Sequence, residues 1–390
     1  MVQSRWGSLL TEISDTVVER DEARQPPPEH LMTVTGSTGL QAFSLPLRVG
    51  GEEADALTWG MTLEHIGYLC KDSALPLIIN HQVDIARLIC ESGREDLIDR
   101  YAQPLADGRC GAGIAYTENA DAFSFRTEIR RKGDGYVLNG YKSYITGGQM
   151  SDYFLTYALD EFGDMQAFLV QTDDPGVTVT PAAPMGMRTA GASSVTFTDV
   201  ELPRERILAA TDGLTHAQRF LGNQRLWIAC APLGRAQAVL DECAIQLAGT
   251  TRYGEPVTDL KNVQASLGQM YIAIESARAT LYHALSRVTE GHTEPLFDPV
   301  VSAAKVFAVN QIRFVLERAL GILGGFAFYE SPHLGRYMRD FAGLSLAAGT
   351  QDILEINLGA GVVARAGSNT DAVAVTHGRR PENLLSPTVA

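Results

Sequence analysis

The chain is short of several things, and each shortage removes a class of function. Cysteine is scarce: Cys70, Cys90, Cys110, Cys230 and Cys243 are scattered and never form a Cys-x-x-Cys pair. That spacing argues against a zinc ribbon or dithiol motif and reads as buried, reduced thiols. Positive charge is also short, with 32 Lys and Arg against 46 Asp and Glu and a formal net charge of −14. Such a balance argues against nucleic acid or an anionic membrane as partner. No run of ~18 apolar residues occurs, so no membrane-spanning helix is expected. Met1–Arg20 interleaves charges and has no apolar core followed by a small-residue cleavage site, so a cytoplasmic protein is expected.

Several chemical motifs are missing too. No G-x-G-x-x-G follows a strand, and there is no G-x-x-x-x-G-K-[ST], H-E-x-x-H or G-x-S-x-G. These absences speak against Rossmann and P-loop nucleotide sites, zinc peptidases and the serine nucleophile elbow. The eight histidines, among them His65, His81, His283 and His333, stand singly and read as structural side chains rather than metal ligands.

What is present divides into three. At 390 residues the chain exceeds one ordinary core, and 45% hydrophobic with 20% charged residues is an ordinary globular balance. Residues 1–110 read as helices: Ile66 and Leu69, then Ile79, Val83, Ala86 and Ile89, fall at helical spacing, and Pro26-Pro27-Pro28 is a stiff linker. Residues 111–208 change to a period near two. Gly133-Asp134-Gly135, Asn139-Gly140 and Asp173-Asp174-Pro175-Gly176 are expected turns between strands. Residues 209–366 return to helical period. Val263, Leu267, Met270, Ile274, Ala277, Leu281 and Leu285 form one stripe, and Pro299 opens a helix ending near Gly324-Gly325. Residues 367–390 read as a flexible tail. The expected fold is therefore α+β: an N-terminal helical domain, a middle antiparallel β-domain and a C-terminal four-helix bundle.

The middle stretch resembles the flavin-binding domain of the acyl-CoA dehydrogenases. The resemblance rests on Ala115-Tyr116-Thr117-Glu118, Tyr144-Ile145-Thr146-Gly147-Gly148 and Phe197-Thr198-Asp199-Val200-Glu201-Leu202-Pro203, and it continues over roughly residues 1–366. It implies FAD as cofactor. Tyr116 and Thr117 would bond the pyrimidine side of the ring, Tyr144 would stand over it beside Ile145, and Thr146 would reach the N5 side. Arg252 and Tyr253, the Gly324-Gly325 turn, and Thr350 with Asp352 would serve the adenine and pyrophosphate. The family's FAD lies across a subunit boundary, which implies a homodimer or homotetramer. An acyl-CoA or acyl-carrier-protein substrate and an electron acceptor, flavoprotein or oxygen, are implied as partners.

The chain departs from that pattern in informative places. Thr250 stands where the family has arginine, Gly321 where it has glutamine, and the segment after Thr117-Glu118 is about three residues shorter than the family's. Desaturation of an acyl thioester needs a carboxylate to remove the α-proton, a step worth about 10²–10⁴-fold in rate. The two positions at which the family carries that glutamate hold Gln224 and Ala348. Asp121, Asp352 and Glu330 are the replacement carboxylates this reading offers. Three functions follow: oxidation of an acyl thioester with a non-standard base, in secondary metabolism; a flavin-dependent monooxygenase or oxidase on the same fold; and a non-catalytic binding partner.

Overall fold

A computed structural model describes residues 1–118, 125–209, 212–252, 254–294, 296–329 and 331–368. Three helices, α1 (Val2–Asp15), α2 (Val17–Ala23) and α3 (Glu29–Ser37), precede the longer pair α4 (Ala56–Leu69) and α5 (Ala74–Glu91). Two short pieces, α6 (Glu95–Leu97) and α7 (Gln103–Ala106), flank a π-turn over Ile98–Ala102. The strands are β1 (Ala112–Ala115), β2 (Glu128–Lys132), β3 (Gly135–Ile145), β4 (Tyr153–Leu159), β5 (Met165–Gln171), β6 (Val177–Pro181), β7 (Ser193–Leu202) and β8 (Ile207–Ala209). The long helices α8 (Gly213–Ala248), α9 (Lys261–Thr289) and α10 (Pro299–Leu323) follow, with a two-stranded ribbon of β9 (Thr251–Arg252) and β10 (Glu255–Pro256) between the first two. The described chain closes with α11 (Gly325–Tyr329), α12 (Pro332–Leu346) and α13 (Gln351–Ser368).

The sheet runs β6-β7-β3-β2-β4-β5-β8, antiparallel but for β1 alongside β4 and one β2–β4 pairing. Its own core contains Ile129, Leu138, Ile145, Phe154, Phe168, Val195 and Phe197. The opposite face, through Tyr153, Leu155, Tyr157 and Leu169, joins a larger core shared with both helical regions. Alternate residues of β4 therefore pack on different cores, which is why that strand is apolar on both sides.

One expected turn is corrected. β2 and β3 are joined at Gly133-Asp134, where Lys132 pairs with Gly135, and β3 runs straight through Asn139-Gly140. The pair instead marks a bulge against β7, because the register slips between Leu138 and Gly140. Two side-chain bonds hold it: Asn139 Nδ2 donates to Asp199 Oδ1 (3.0 Å), and the Asp199 N–H donates to Asn139 Oδ1 (2.8 Å). Glycine is required at 140 by contact, since a Cβ there would lie 2.5 Å from Thr127 Oγ1. Asn-Gly thus serves an Asx-type bond and a close approach, two uses that local sequence cannot separate from a hairpin.

The helices meet by backbone approach and capping. A Cβ on Gly67 would sit 1.9 Å from the Ala231 carbonyl oxygen, and one on Gly234 would sit 1.8 Å from that of Glu64. α4 and α8 therefore cross at a distance only glycine allows. Asp298 accepts from the Val300 and Val301 amides and fixes the start of α10 ahead of Pro299. Among the described residues α10 is the one helix long and apolar enough to cross a membrane, and half of its apolar window is buried within the bundle. Of the tail expected from 367, residues 369–390 lie outside the described residues, while α13 extends to Ser368.

Candidate active site

The sheet offers one edge of the site. Thr117 O accepts the Ser143 amide (2.8 Å), which fastens the Tyr116-Thr117 turn to the Tyr144-Ile145-Thr146 turn. Beneath the pair lies a closed ionic knot. Lys142 Nζ, fully buried, donates to Glu118 Oε1 (2.8 Å) and the Tyr116 carbonyl (3.0 Å). Glu118 also accepts the Arg126 and Thr127 amides. Desolvation pulls the Lys142 ammonium down to about 8 against the opposing attraction of Glu118. The Tyr116 ring meets Phe125 and Tyr157 edge-on, and burial pushes its hydroxyl up to about 12. Tyr157 in turn bonds His216 Nδ1 at 2.8 Å.

Tyr144 is 73% exposed with φ at 59°, so a strained backbone presents an unpacked aromatic face beside these turns. Thr146 is half-buried and Thr117 exposed. The Ile145 side chain is fully buried in the sheet core, so only its backbone faces the turn.

The helices supply the other edge. Arg225, next to Gln224 on α8, reaches across to the Ala348 carbonyl (Nε to O, 3.2 Å) and ties that helix to the loop holding the second position that lacks glutamate. Arg225 also lies over the Phe297 ring and interacts electrostatically with Tyr116, which joins this edge to the sheet. Buried Lys305 donates to the carbonyls of Ser345 (2.9 Å) and Gly349 (2.8 Å), pinning the loop in which Ala348 takes φ 56°. Desolvation lowers the Lys305 ammonium to about 8.

A carboxylate does stand beside the site. Gln224 Nε2 donates to Asp84 Oδ2 at 2.5 Å, and Asp84 Oδ1 pairs with Arg87 at 2.6 Å. Asp84 is 1% exposed, and burial raises its carboxyl to about 6. His81, one turn away on α5, packs against Phe220, and burial drops its imidazole to about 4 despite the pull of the neighbouring Gln224 amide. The sequence reading took His81 as a structural histidine and did not name Asp84. The available signal was polar residues at i and i+3 on an α5 face whose flanking positions are Leu77 and Leu88. Of the three carboxylates it offered instead, Asp352 is exposed in the first turn of α13, while Asp121 and Glu330 lie outside the described residues.

The remaining expected contacts fall into two groups. Thr350 precedes α13, where its hydroxyl accepts the Ile353 amide (3.5 Å), with Asp352 two residues on. Arg252 is exposed on β9, and Gly324 (φ 58°) and Gly325 mark the end of α10. These last positions adjoin one small cluster of Leu247, Val257, Val263, Ile322 and Leu323 at the far end of α8. At 1.5 Å per residue that cluster lies about 35 Å along the helix from Gln224. Tyr253 lies outside the described residues.

The sheet-edge residues fit a flavin. An isoalloxazine needs an aromatic or apolar wall and hydrogen-bonding groups at its edges, and its phosphates favour a helix N-terminus. Tyr144, the two stitched turns and the start of α13 supply those parts in one chain.

The comparisons agree. Residues 9–109, 113–200 and 211–363 match the acyl-CoA dehydrogenase N-terminal, middle and C-terminal domains, respectively. Cyclohex-1-ene-1-carbonyl-CoA dehydrogenase of Geobacter metallireducens is 30% identical over 358 residues, covering 89% of this chain and 93% of that one. Butyryl-CoA dehydrogenase of Megasphaera elsdenii shares the fold at TM-score 0.85 and 25% identity, over 93% of this chain and 98% of that one. The prolyl acyl carrier protein oxidase AnaB does so at 0.84 and 23% identity, over 91% and 98%. The chain belongs to the acyl-CoA dehydrogenase family and is an FAD-dependent oxidoreductase of acyl thioesters.

Proposed function

We propose that this enzyme oxidises its acyl thioester with Asp84, rather than a glutamate at 224 or 348, as the acceptor of the α-proton. One observation carries the reading. Among the described residues, Asp84 is the carboxylate bonded to either vacated position, 2.5 Å from the Gln224 amide. A proton acceptor works best with a pKa near the working pH, and burial has moved Asp84 to about 6. Gln224 holds the carboxylate by one oxygen and Arg87 by the other, so its direction is fixed from two sides. Arg225 and Lys305 hold the Ala348 loop by its carbonyls, which keeps the opposite wall in place without a carboxylate. FAD, when bound, accepts the hydrogen that leaves the β-carbon with its electron pair. Tyr116, Thr117, Tyr144 and Thr146 would hold its ring, with Thr350 and Asp352 at the phosphate end.

Arg252, Tyr253, Gly324 and Gly325 would serve FAD of a second copy. Arg252 and the Gly324-Gly325 turn stand about 35 Å along α8 from Gln224, too far for one flavin to meet both sets in one chain. A homodimer or homotetramer satisfies this. The thioester is carried on CoA or a carrier protein, and the electrons pass to a flavoprotein or oxygen. The setting in secondary metabolism rests on the missing glutamates alone.

Anaerobic incubation in D₂O with short acyl-CoA and acyl-carrier thioesters tests the reading. Deuterium uptake at C2, read by mass spectrometry, is the expected result. Oxygen consumption with a flavin reductase, without C2 exchange, would contradict it and favour a flavin-dependent monooxygenase.

A further inference from the structure

The turn proposed to hold the flavin ring, Tyr144-Ile145-Thr146, is fastened from behind as well as from the sheet. Directly after it, the Gly147 amide donates to the Ala190 carbonyl and the Gln149 amide to the Gly191 carbonyl, both at 2.9 Å. Gln149 Nε2 donates to the next carbonyl, that of Ala192 (2.8 Å). Most of these acceptors belong to residues 186–191, a bent segment between β6 and β7 in which Met187 takes φ 54° and Gly191 φ 58°. A left-handed backbone at a methionine persists only where its surroundings over-determine it. Whatever grips this segment therefore also sets the turn.

Three carboxylates from the helical regions grip it. Asp340, buried on α12, accepts the Met187 amide at Oδ1 (2.6 Å). Asp72, buried just ahead of α5, accepts the Thr189 hydroxyl at Oδ1 (2.7 Å). Asp21, on α2, lies 3.8 Å from Arg188. Each acid also faces an arginine of its own: Arg336 stands 3.4 Å from Asp340, Arg20 2.7 Å from Asp72 and Arg339 2.6 Å from Asp21. The backbones touch too, since a Cβ on Gly186 would lie 2.0 Å from the Arg339 carbonyl oxygen. Hydrogen bonds to an ionised acceptor are roughly twice as strong as neutral ones. The clasp thus draws on both helical regions and reaches the flavin turn through one intervening segment.

We propose that Asp340 and Asp72 are positioning residues for the flavin. Acting through Met187 and Thr189, they fix residues 186–191 and with them the Tyr144–Thr146 turn, without touching the cofactor. The proposal rests on the placement of the ring at that turn and not on Asp84 as proton acceptor. Hydrogen exchange of the FAD-loaded enzyme, read by mass spectrometry, tests it in T189V, T189S and D340N. T189V removes one bond and keeps every charge, whereas D340N keeps an oxygen for the Met187 amide and loses the charge. In T189V, exchange over residues 146–150 should accelerate about tenfold, the loss expected for one hydrogen bond to a charged group. D340N should accelerate it severalfold, and FAD release, followed by fluorescence, should quicken in both. Exchange in β4 and β5 should stay at the wild-type rate, and T189S, which keeps the hydroxyl, should restore slow exchange over 146–150. Unchanged exchange there in T189V and D340N overturns the proposal. Acceleration spread equally over β4 and β5 also overturns it, because that marks a merely structural role. T189S exchanging as fast as T189V does the same, by showing that the bond to Asp72 is not what holds the segment. Faster exchange without faster FAD release breaks the placement of the ring at this turn, and the proposal with it.

Discussion

The two edges of the site treat polar groups in opposite ways. On the sheet edge, Lys142 and Glu118 answer each other and the neighbouring backbone, and both are shielded from water. On the helical edge, Asp84 is held by Gln224 and Arg87 but keeps its proton more readily than a free carboxylate. An ion pair with both partners in place stiffens a turn, whereas a buried carboxyl moved toward neutrality can take up and release a proton.

The largest effect should come from opening the closed side. In K142M, Glu118 is left buried without its cation, and loss of one partner of such a pair costs about 3–5 kcal/mol. Urea unfolding should show that loss together with weakened FAD retention. A midpoint within error of wild type would mean that the knot contributes nothing. Next comes D84N, which keeps the shape beside Gln224 but removes the proton acceptor. C2 exchange should fall about 10²–10⁴-fold, with FAD content unchanged. Arg252→Ala separates the distant group from both edges. Its exposed side chain predicts a stability change within about 0.5 kcal/mol, while FAD is lost more easily if a second copy uses it.

Much of the fold was legible because its signals are periodic. The α9 stripe from Val263 to Leu285 is the buried face, and Pro299 does open a helix capped by Asp298. Asn139-Gly140 misled because asparagine's side-chain bond to Asp199 and glycine's contact with Thr127 are tertiary, and a local rule sees only a turn. Gln224 and Ala348 could be marked as vacancies by resemblance. Their neighbours could not, because Asp84 is 140 residues from Gln224 in the chain and meets it only when α5 packs on α8. Ile145 shows the reverse failure: its motif was readable, but strand alternation turned the side chain into the core.

The most direct test of Asp84 as the proton acceptor is the pH profile of C2 exchange in wild type and D84N. A base must be unprotonated to act, so the wild-type rate should rise with pH through a midpoint near 6, where burial has placed Asp84. D84N should lack that rising limb and stay slow throughout. A D84N profile that keeps the same limb at a comparable rate would contradict the account and assign the proton to another group.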